Sequence, residues 1–244
     1  MPEGPVIRLL CEKCQQFEGK KVQKATSLSA ELDLSRLEGL VIKDISVYGK
    51  QLLISFPKLT IRVHLMLFGY YRINEVKENG KLSLGLKFSN GELNFYASDV
   101  RLIEEPLNEV YDWSTDVMNP AWNPEAAVEK LNKLDKTLAC DALLDQDIFA
   151  GVGNKIKDEV LFIAKIHPGS LVKNIPEKKK KEMADEASAF SFRYLEWKRT
   201  DSEEEHFLAH YKKTCPRDKA ALKKEKIGSN NRTTYFCEVC QKKY

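Results

Sequence analysis

The residues with the most evident chemistry stand at the start of the chain, in the motif Met1-Pro2-Glu3-Gly4-Pro5. If Met1 is removed, the nitrogen of Pro2 becomes a free secondary amine. An α-amino group titrates near ~8, against ~10.4 for a lysine side chain, so a useful fraction is neutral and nucleophilic at cellular pH. Such an amine forms a cationic imine with an aldehyde carbon, and the neighbouring Glu3 carboxyl can move protons during that reaction. The motif therefore predicts a covalent catalyst.

The same motif also fits a structural role. A proline in the second position permits removal of Met1, and Glu3 favours the first turn of a helix. Short motifs are common by chance, so residues elsewhere in the chain must decide between a nucleophile and an ordinary helix start.

A second candidate site lies within residues 145–162, around Gly151-Val152-Gly153-Asn154. Its two glycines predict a tight turn between helices, with Asn154 opening the second helix. Glycine lets the backbone approach a ligand closely, and a helix N-terminus offers unpaired amides to an anion such as phosphate. Lys155 and Lys157 add positive charge. The alternative is an ordinary corner between two helices.

The net charge is small but unevenly distributed. The 244 residues carry +3, yet residues 211–244 contain ten Lys or Arg against three Asp or Glu, which gives +7 there and −4 for the remainder. This asymmetry indicates a polyanionic partner met by one end of the molecule, although a solvated basic tail has the same composition.

The composition argues against a secreted or membrane protein. Six cysteines in 244 residues do not resemble a secreted disulfide framework. No run approaches the ~20 apolar residues of a membrane span. Arg8 interrupts the only early apolar run, and no basic region precedes it as in a signal peptide. We expect a reduced cytoplasmic protein without a membrane partner.

Periodicity assigns the N-terminal elements. Residues 4–17 have apolar side chains at helical spacing, which predicts a helix with Cys11 and Cys14 packed in the core rather than bound to metal. Asn79-Gly80 and Asn90-Gly91 predict hairpin turns. One helix followed by a meander of strands predicts a β-sandwich with a helix alongside. The predicted strands are 40–47, 51–56, 59–67, 82–88 and 92–96.

The remainder of the chain reads as helical up to its last thirty residues. Prolines break up a connector at 105–124, and residues 200–205 form an acidic loop. Residues 233–236 have strand character next to Cys237 and Cys240. The predicted helices are 126–134, 138–144, 158–164 and 178–197.

Five motifs occur in one order along this chain. They are Met-Pro-Glu-Gly-Pro at 1–5, Gly-Lys-Gln-Leu-Leu at 49–53, Phe-Ala-Gly-Val-Gly-Asn at 149–154, Glu-Val-Leu at 159–161, and Arg-Thr-Thr-Tyr-Phe-Cys at 232–237 with Cys240. Together they resemble the formamidopyrimidine-DNA glycosylase/endonuclease VIII family of DNA repair enzymes. The resemblance spans the whole chain, and several separated motifs in order are more specific than any single one.

The resemblance implies an α+β multidomain fold. Residues 1–115 would form a catalytic β-sandwich flanked by a helix, 116–205 a helix–two-turn–helix DNA-binding domain, and 206–244 a zinc-finger-like β-hairpin. The implied partner is double-stranded DNA with a damaged or abasic nucleotide. We expect the protein to act on it as a monomer associated with the nucleoid.

The resemblance also assigns roles to individual residues. Pro2 would attack C1′ of a damaged deoxynucleoside, and Glu3 would protonate the sugar ring oxygen. Lys50 would hold a phosphate near the lesion, while Asn154 and Arg232 would grip the backbone of the damaged strand. After base release, the Schiff base would permit β- and δ-elimination, which cuts the strand. Lys50 as an exposed strand-end lysine and Arg232 as a turn arginine are the structural alternatives.

Further DNA contacts are implied around these residues. Gly153 and Lys155 belong to the same turn as Asn154. Leu67 and Phe68 stand where the family keeps the side chains that fill the space of a flipped-out nucleotide, as apolar wedges do in other DNA-binding proteins. The preceding Met66 fits a buried strand equally well.

The branch of the family is suggested by two short segments. Leu67-Phe68-Gly69 and Tyr96-Ala-Ser-Asp-Val100 are closer to the endonuclease VIII branch, since the formamidopyrimidine branch tends to have a methionine and a small residue before the glycine. We therefore expect oxidised pyrimidines as substrates. The same chemistry on oxidised purines is the first alternative. A catalytically silent DNA-binding relative, with Met1 retained, is the second.

The sequence departs from the family in two places. Val6 stands where a second glutamate is usual. The first cysteine pair of the finger reads Cys215-Pro-Arg-Asp218, while Cys237 and Cys240 are intact. Structural zinc prefers four cysteine or histidine ligands. Three possibilities remain: Asp218 as the fourth zinc ligand, His210 in its place, or a hairpin without metal.

Overall fold

The structure is a computed structural model that describes residues 2–28, 33–77, 80–229 and 231–244. It consists of two compact units. The first comprises Pro2 and Val6–Tyr111, and the second comprises Glu3–Pro5 and Asp112–Tyr244. The consecutive residues Pro2 and Glu3 therefore belong to different units.

The first unit contains the helix α1, the short helix α2 and two antiparallel sheets that form a sandwich. Its sheets have the strand orders β1-β6-β7-β5 and β2-β3-β4-β8. The elements are α1 Gly4–Cys14, β1 Lys24–Thr26, β2 Asp44–Tyr48, β3 Gln51–Ser55, β4 Thr60–His64, β5 Tyr70–Ile73, β6 Leu82–Phe88, β7 Gly91–Tyr96, β8 Asp99–Ile103 and α2 Leu107–Val110.

The core of this unit is shared by α1 and both sheets. Ile7, Leu10 and Cys14 are fully buried at helical spacing on one face of α1. Cys11 is also buried, and its thiol donates to the carbonyl of Ile45 at 3.2 Å. Burial raises the pKa of both thiols, which keeps them protonated. The predicted core role of the two cysteines is confirmed.

The two hairpin turns predicted from Asn-Gly pairs have different outcomes in the structure. β6 and β7 pair with Phe88 opposite Gly91, so the predicted hairpin is confirmed, but its turn residues are Ser89 and Asn90, one position before the predicted Asn90-Gly91. Asn79 lies outside the described residues. The strands on either side of Asn79-Gly80 are β5 and β6, and each pairs with β7 rather than with the other.

Strand bounds also shift from the predictions. β4 ends at His64 instead of reaching Leu67, and β2 begins only at Asp44. β1, β5 and β8 lie outside the five predicted strands. At three to five residues, their patterns are too short to identify them in the sequence, and each is defined by its pairing with a neighbour.

The second unit contains helices and a C-terminal hairpin. Asn123 caps α3 by accepting from the amide of Ala126 at 3.0 Å, and Pro124 occupies the first turn. The segment predicted as an acidic loop contains the start of α7, a short helix. The elements are α3 Pro124–Asn132, α4 Ala139–Ala142, α5 Asn154–Ile163, α6 Glu177–Arg199, α7 Glu203–His206, β9 Lys223–Ile227 and β10 Arg232–Phe236.

The predicted fold class is confirmed. A helix-flanked β-sandwich is followed by a helical domain, which ends in a two-stranded antiparallel hairpin of β9 and β10. Within the described ranges, no helix is both long enough and apolar enough to cross a membrane.

Candidate active site, DNA-contact residues and metal centre

Pro2 lies half-buried at the wall of a cavity in the first unit. The cavity has a volume of about 430 Å³, which is in the ~300–1,000 Å³ range of small-molecule sites. Val6 supplies an apolar part of the wall. Strand β5 supplies another part, where Arg72 pairs with Glu75 at 3.4 Å between Nε and Oε2. The potential nucleophile therefore faces a space that can hold a ligand.

The loop between β4 and β5 presents apolar side chains to solvent. Phe68 is 81% exposed, Leu67 50% and Met66 47%, so Met66 does not occupy the buried strand position that its sequence also permitted. The loop is closed by the amide of Gly69, which donates to the Leu65 carbonyl at 2.8 Å. A Cβ at Gly69 would lie 2.1 Å from that oxygen, so only glycine fits.

Lys50 lies in the turn of the β2–β3 hairpin and not within a strand. Gly49 precedes it with φ of +54°, the positive value that the twist of a tight hairpin requires at this position. His64 is close enough to sense the charge of Lys50. Burial, then the positive charges of Arg62 and Lys50, lower the pKa of His64.

A polar network that the sequence did not reveal supports this hairpin. Gln51 Oε1 accepts from Arg62 Nε at 2.6 Å and from the Tyr111 hydroxyl at 2.8 Å. Arg62 also pairs with Asp99 at 2.5 Å. Burial opposes ionisation of Asp99, but the hydrogen bond and charge of Arg62 keep its pKa below the usual value. These contacts hold Gln51, the residue that follows Lys50, in place.

Glu3 is a buried carboxylate bound to the start of α5. Its Oε1 accepts from the amide of Lys155 at 2.8 Å, and its Oε2 accepts from the amide of Ile156 at 3.1 Å. A carboxylate at a helix N-terminus satisfies amides that the helix leaves unpaired and sits at the positive end of its dipole. The helix that Glu3 stabilises is thus α5, and not its own helix α1.

Gly153 makes room for this contact. A Cβ at Gly153 would lie 2.4 Å from both Cγ and Cδ of Glu3. Gly4 is held in the same region, with its amide donating to the Gly151 carbonyl at 2.9 Å. The glycine turn that the sequence suggested as a phosphate site thus encloses a carboxylate of the same chain.

Asn154 and Lys155 open α5 in different environments. The Asn154 Nδ2 donates to the Thr233 carbonyl at 2.7 Å. Lys155 Nζ lies over the rings of Tyr194 at 5.6 Å and Phe207 at 5.7 Å. Lys157, which the sequence suggested as added positive charge at this turn, is fully buried.

Arg232 is exposed at the first position of β10. The turn before it contains Gly228 with φ of +89°, and the Ser229 amide donates to Asp141 Oδ2 at 2.9 Å. A side chain at Gly228 would meet Asp141 at 2.3 Å. Asp141 therefore holds the tip of the hairpin that carries Arg232.

Four side chains near the end of the chain form a potential metal site. Donor atoms of Cys215, Asp218, Cys237 and Cys240 all lie within 4.8 Å of one another. The Cys215 and Cys240 sulfurs are 3.8 Å apart, and Cys237 Sγ donates to Asp218 Oδ2 at 3.1 Å. Tetrahedral zinc with ~2.3 Å bonds to sulfur separates two sulfurs by ~3.8 Å, so these residues fit the ion.

His210 is placed elsewhere. Its Nδ1 lies 2.6 Å from Asp158 Oδ2, and both residues are buried. Of the two possible fourth ligands considered from the sequence, Asp218 is the one that joins the cysteines.

The predicted site residues thus group by unit. The first unit positions Pro2, Lys50, Leu67 and Phe68. The second unit brings Glu3, Gly153, Asn154 and Lys155 together around the N-terminus of α5. Asn154 also contacts β10, the strand that begins at Arg232 and ends next to Cys237 of the cysteine cluster.

Two family models match most of this chain. Residues 1–103 match the formamidopyrimidine-DNA glycosylase N-terminal domain, and residues 114–201 match the formamidopyrimidine-DNA glycosylase H2TH domain. The chain therefore belongs to the formamidopyrimidine-DNA glycosylase/endonuclease VIII family of DNA glycosylases, which act in base excision repair.

Relatives come from both branches of the family. The chain is 29% identical over 226 residues to endonuclease 8-like 3 of Xenopus laevis. The aligned region covers 88% of this chain but only 37% of that protein. It is 29% identical over 251 residues to formamidopyrimidine-DNA glycosylase of Streptococcus pyogenes, covering 91% and 89% of the two chains. The chain thus spans little more than a third of the first relative.

The fold matches solved structures over nearly its full length. One match is a crystal structure of Lactococcus lactis formamidopyrimidine-DNA glycosylase bound non-covalently to DNA containing an AP site. The superposition covers 99% of this chain and 100% of that chain. Its TM-score is 0.86 at 24% identity, a likeness that establishes the fold.

Proposed function

We propose that this protein is a bifunctional DNA glycosylase and AP lyase that removes oxidised bases, preferentially pyrimidines, and then cuts the strand. The observation that carries the proposal is the position of Pro2 at the wall of a cavity of about 430 Å³. With Met1 removed, its amine would face the nucleotide that the cavity receives. The target must leave the duplex, because C1′ is inaccessible within it.

The reaction follows from the residue types. Glu3, once it has taken up a proton, donates it to the ring oxygen of the deoxyribose while the Pro2 nitrogen attacks C1′. The glycosidic bond breaks, the base leaves with its electron pair and takes up a proton, and the sugar ring opens. Loss of the amine proton leaves a cationic imine between Pro2 and C1′. The imine accepts electrons when the C2′ proton is removed, which expels the 3′ phosphate, and a second elimination expels the 5′ phosphate. Water then releases Pro2.

The remaining site residues position the strand. Lys50, Asn154 and Arg232 bind phosphates, which fix the register without reading sequence, as a lesion-scanning enzyme requires. Gly153 and Lys155 bring the start of α5 close to the backbone. Leu67 and Phe68 enter the space left by the flipped-out nucleotide, and their 50% and 81% exposure supports this role.

We propose one structural zinc ion held by Cys215, Asp218, Cys237 and Cys240. The ion would fix the base of the β9–β10 hairpin and take no part in the reaction. A carboxylate is an accepted zinc ligand, though less common than cysteine in structural sites. The 3.8 Å distance between the Cys215 and Cys240 sulfurs supports the assignment.

We further propose that residues 1–115, 116–205 and 206–244 act as the catalytic, helix–two-turn–helix and finger parts of a monomeric enzyme. Its partner would be double-stranded DNA with a damaged or abasic nucleotide, met in the cytoplasm at the nucleoid. Absence of disulfide bonds in the purified protein and a monomer in sedimentation with and without DNA would agree with this.

Borohydride trapping on a duplex with an abasic site tests the central proposal. The imine should be reduced to a stable protein–DNA adduct, and peptide mass spectrometry should locate the DNA on Pro2. A variant carrying an uncleaved residue before Pro2 is the matched control and should form no adduct. Mapping of the adduct to Lys50 or another lysine would reject Pro2 as nucleophile. Tight binding of the abasic duplex without any adduct would indicate a silent DNA-binding protein instead.

A further inference from the structure

Lys157 is a fully buried lysine whose ammonium group contacts three side chains. Its Nζ donates to Asn154 Oδ1 at 2.8 Å and to Thr234 Oγ1 at 2.7 Å. It also forms an ion pair with Asp158 Oδ1 at 3.1 Å. Two of the three ammonium hydrogens are thus used in hydrogen bonds, and the Asp158 carboxylate, whose Oδ1 makes no hydrogen bond, compensates the buried charge.

The contacts connect two elements that carry proposed DNA contacts. Asn154 is the first residue of α5, and its Nδ2 donates to the Thr233 carbonyl at 2.7 Å. Thr234 Oγ1 donates in turn to the Arg232 carbonyl at 3.2 Å. One ammonium group thus joins the amide side chain of Asn154 to the main chain of Arg232.

The two residues that follow Lys157 on α5 are held by further contacts. Asp158 Oδ2 lies 2.6 Å from His210 Nδ1. The adjacent Glu159 accepts from the amides of Leu208, Ala209 and His210 at 2.7–2.8 Å. These contacts tie α5 to the segment that leads into the metal cluster, so Lys157 has little freedom to move.

Stability alone does not explain a buried lysine here. Desolvation of a charged pair is costly, and a packed apolar side chain of similar volume often stabilises a fold as well or better. An ionic group has another use, because directed hydrogen bonds fix orientation where apolar contacts do not. The three partners of Lys157 include the residue proposed to hold phosphate.

We propose that Lys157 is a positioning residue that holds Asn154 and the β10 strand of Arg232 in one fixed arrangement, so that both meet the DNA backbone as a preformed unit. The inference rests on the proposed DNA contacts of Asn154 and Arg232. Lys157 does not itself touch DNA, because it is fully buried. Its removal should loosen the grip on DNA without removing a surface charge.

The first test compares two buried lysines in the same unit. Lys180 is 5% exposed and donates to Asn132 Oδ1 at 2.8 Å, away from the proposed DNA contacts, so Lys180→Met is a matched control for Lys157→Met. Fluorescence anisotropy with a duplex carrying a tetrahydrofuran abasic analogue measures the Kd. Lys157→Met should weaken binding by ~10-fold or more, as expected for lost hydrogen bonds to a charged group. Lys180→Met should stay within ~2-fold, and equal losses in the two variants would overturn the proposal.

A double-mutant cycle separates positioning from general destabilisation. If Lys157 acts through Asn154, then Asn154→Ala should weaken binding much less in the Lys157→Met background than in the wild type. Independent, multiplying effects would overturn the proposal. If Lys157→Met does not fold, Thr234→Val gives the same cycle, since it removes the acceptor hydroxyl at similar volume and keeps the Asp158 ion pair. Borohydride trapping of the wild type distinguishes failure of the proposed function from failure of the Lys157 proposal. Absence of an adduct rejects the enzyme chemistry, whereas independent effects of the two substitutions on binding reject only the role of Lys157.

Discussion

At the scale of single residues, Gly153 has no room for a side chain beside Glu3. A Cβ there would lie 2.4 Å from Glu3 and would push the carboxylate away from the amides of Lys155 and Ile156. We expect Gly153→Ala to reduce single-turnover base excision by ~100-fold or more, the loss that small misplacements of a catalytic group produce. Gly169→Ala is the control, since its Cβ would approach only to 3.3 Å, from His167. Wild-type excision by Gly153→Ala would contradict the catalytic role of Glu3.

Glu3 has two functions that one substitution can separate. Glu3→Gln should abolish base excision, because the amide cannot transfer the proton. It should also lower the free energy of unfolding by ~1 kcal/mol, since the amide group can accept at only one of the two positions now bound to α5. Affinity for an abasic duplex should change little. Thermal melting, anisotropy and single-turnover excision measure the three effects, and excision at the wild-type rate would leave Glu3 with the structural function alone.

At the scale of elements, the hairpin of β9 and β10 presents Arg232 from a fixed tip. Arg232→Ala should weaken binding to all duplexes alike and reduce the slope of log K against log salt by about one unit. Arg193→Ala is the control, because Arg193 lies on α6 and pairs with Glu186. Anisotropy titrations over a range of salt concentrations measure the slope. An unchanged slope for Arg232→Ala would remove that residue from the DNA interface.

At the base of the same hairpin, the cluster of Cys215, Asp218, Cys237 and Cys240 is expected to bind zinc. We expect one zinc per chain by elemental analysis, and a chelator should lower the melting temperature because binding energy at such sites contributes to folding. Asp218→Ala should lose zinc, whereas Asp218→Cys should retain it. His210→Gln should keep the full zinc content, since His210 contacts Asp158 rather than the cluster. A metal-free protein with unchanged melting in chelator would show that the hairpin is held without metal.

At the scale of the whole molecule, the choice of substrate depends on how easily a damaged base leaves the DNA stack. The segment that follows α6 contains the short helix α7 Glu203–His206 and no glycine between Trp197 and Cys215, so it offers no glycine-rich lid for a flipped purine. Selectivity should then depend mainly on the cost of extrusion. Oxidised pyrimidines have lost aromaticity and stack poorly, while oxidised guanine stays planar.

We therefore expect single-turnover excision of thymine glycol or dihydrouracil to be faster than that of oxidised guanine opposite cytosine. The rates should differ by at least ~10-fold, a barrier difference of ~1.4 kcal/mol. The comparison uses matched duplexes at saturating enzyme. Equal or faster removal of the oxidised guanine would assign the protein to purine lesions, the specificity of the other branch.

The sequence by itself determined the features that depend on neighbours along the chain. Apolar spacing identified α1, α3 and α6 within a few residues, because a helix repeats every 3.6 residues whatever surrounds it. The β6–β7 hairpin and the buried cysteines of α1 follow from equally local rules. The family motifs were visible for the same reason, since each is a short run of consecutive residues.

The tertiary structure alone decided which distant residues meet. Glu3 contacts amides some 150 positions away, and Lys157 is buried with its ammonium group against Thr234 of β10. Asp218, and not His210, joins the cysteines. The strands β1, β5 and β8, of three to five residues, are defined by their pairing with neighbours. Hydrogen bonds and desolvation depend on partners brought together by folding, and no local periodicity records those partners.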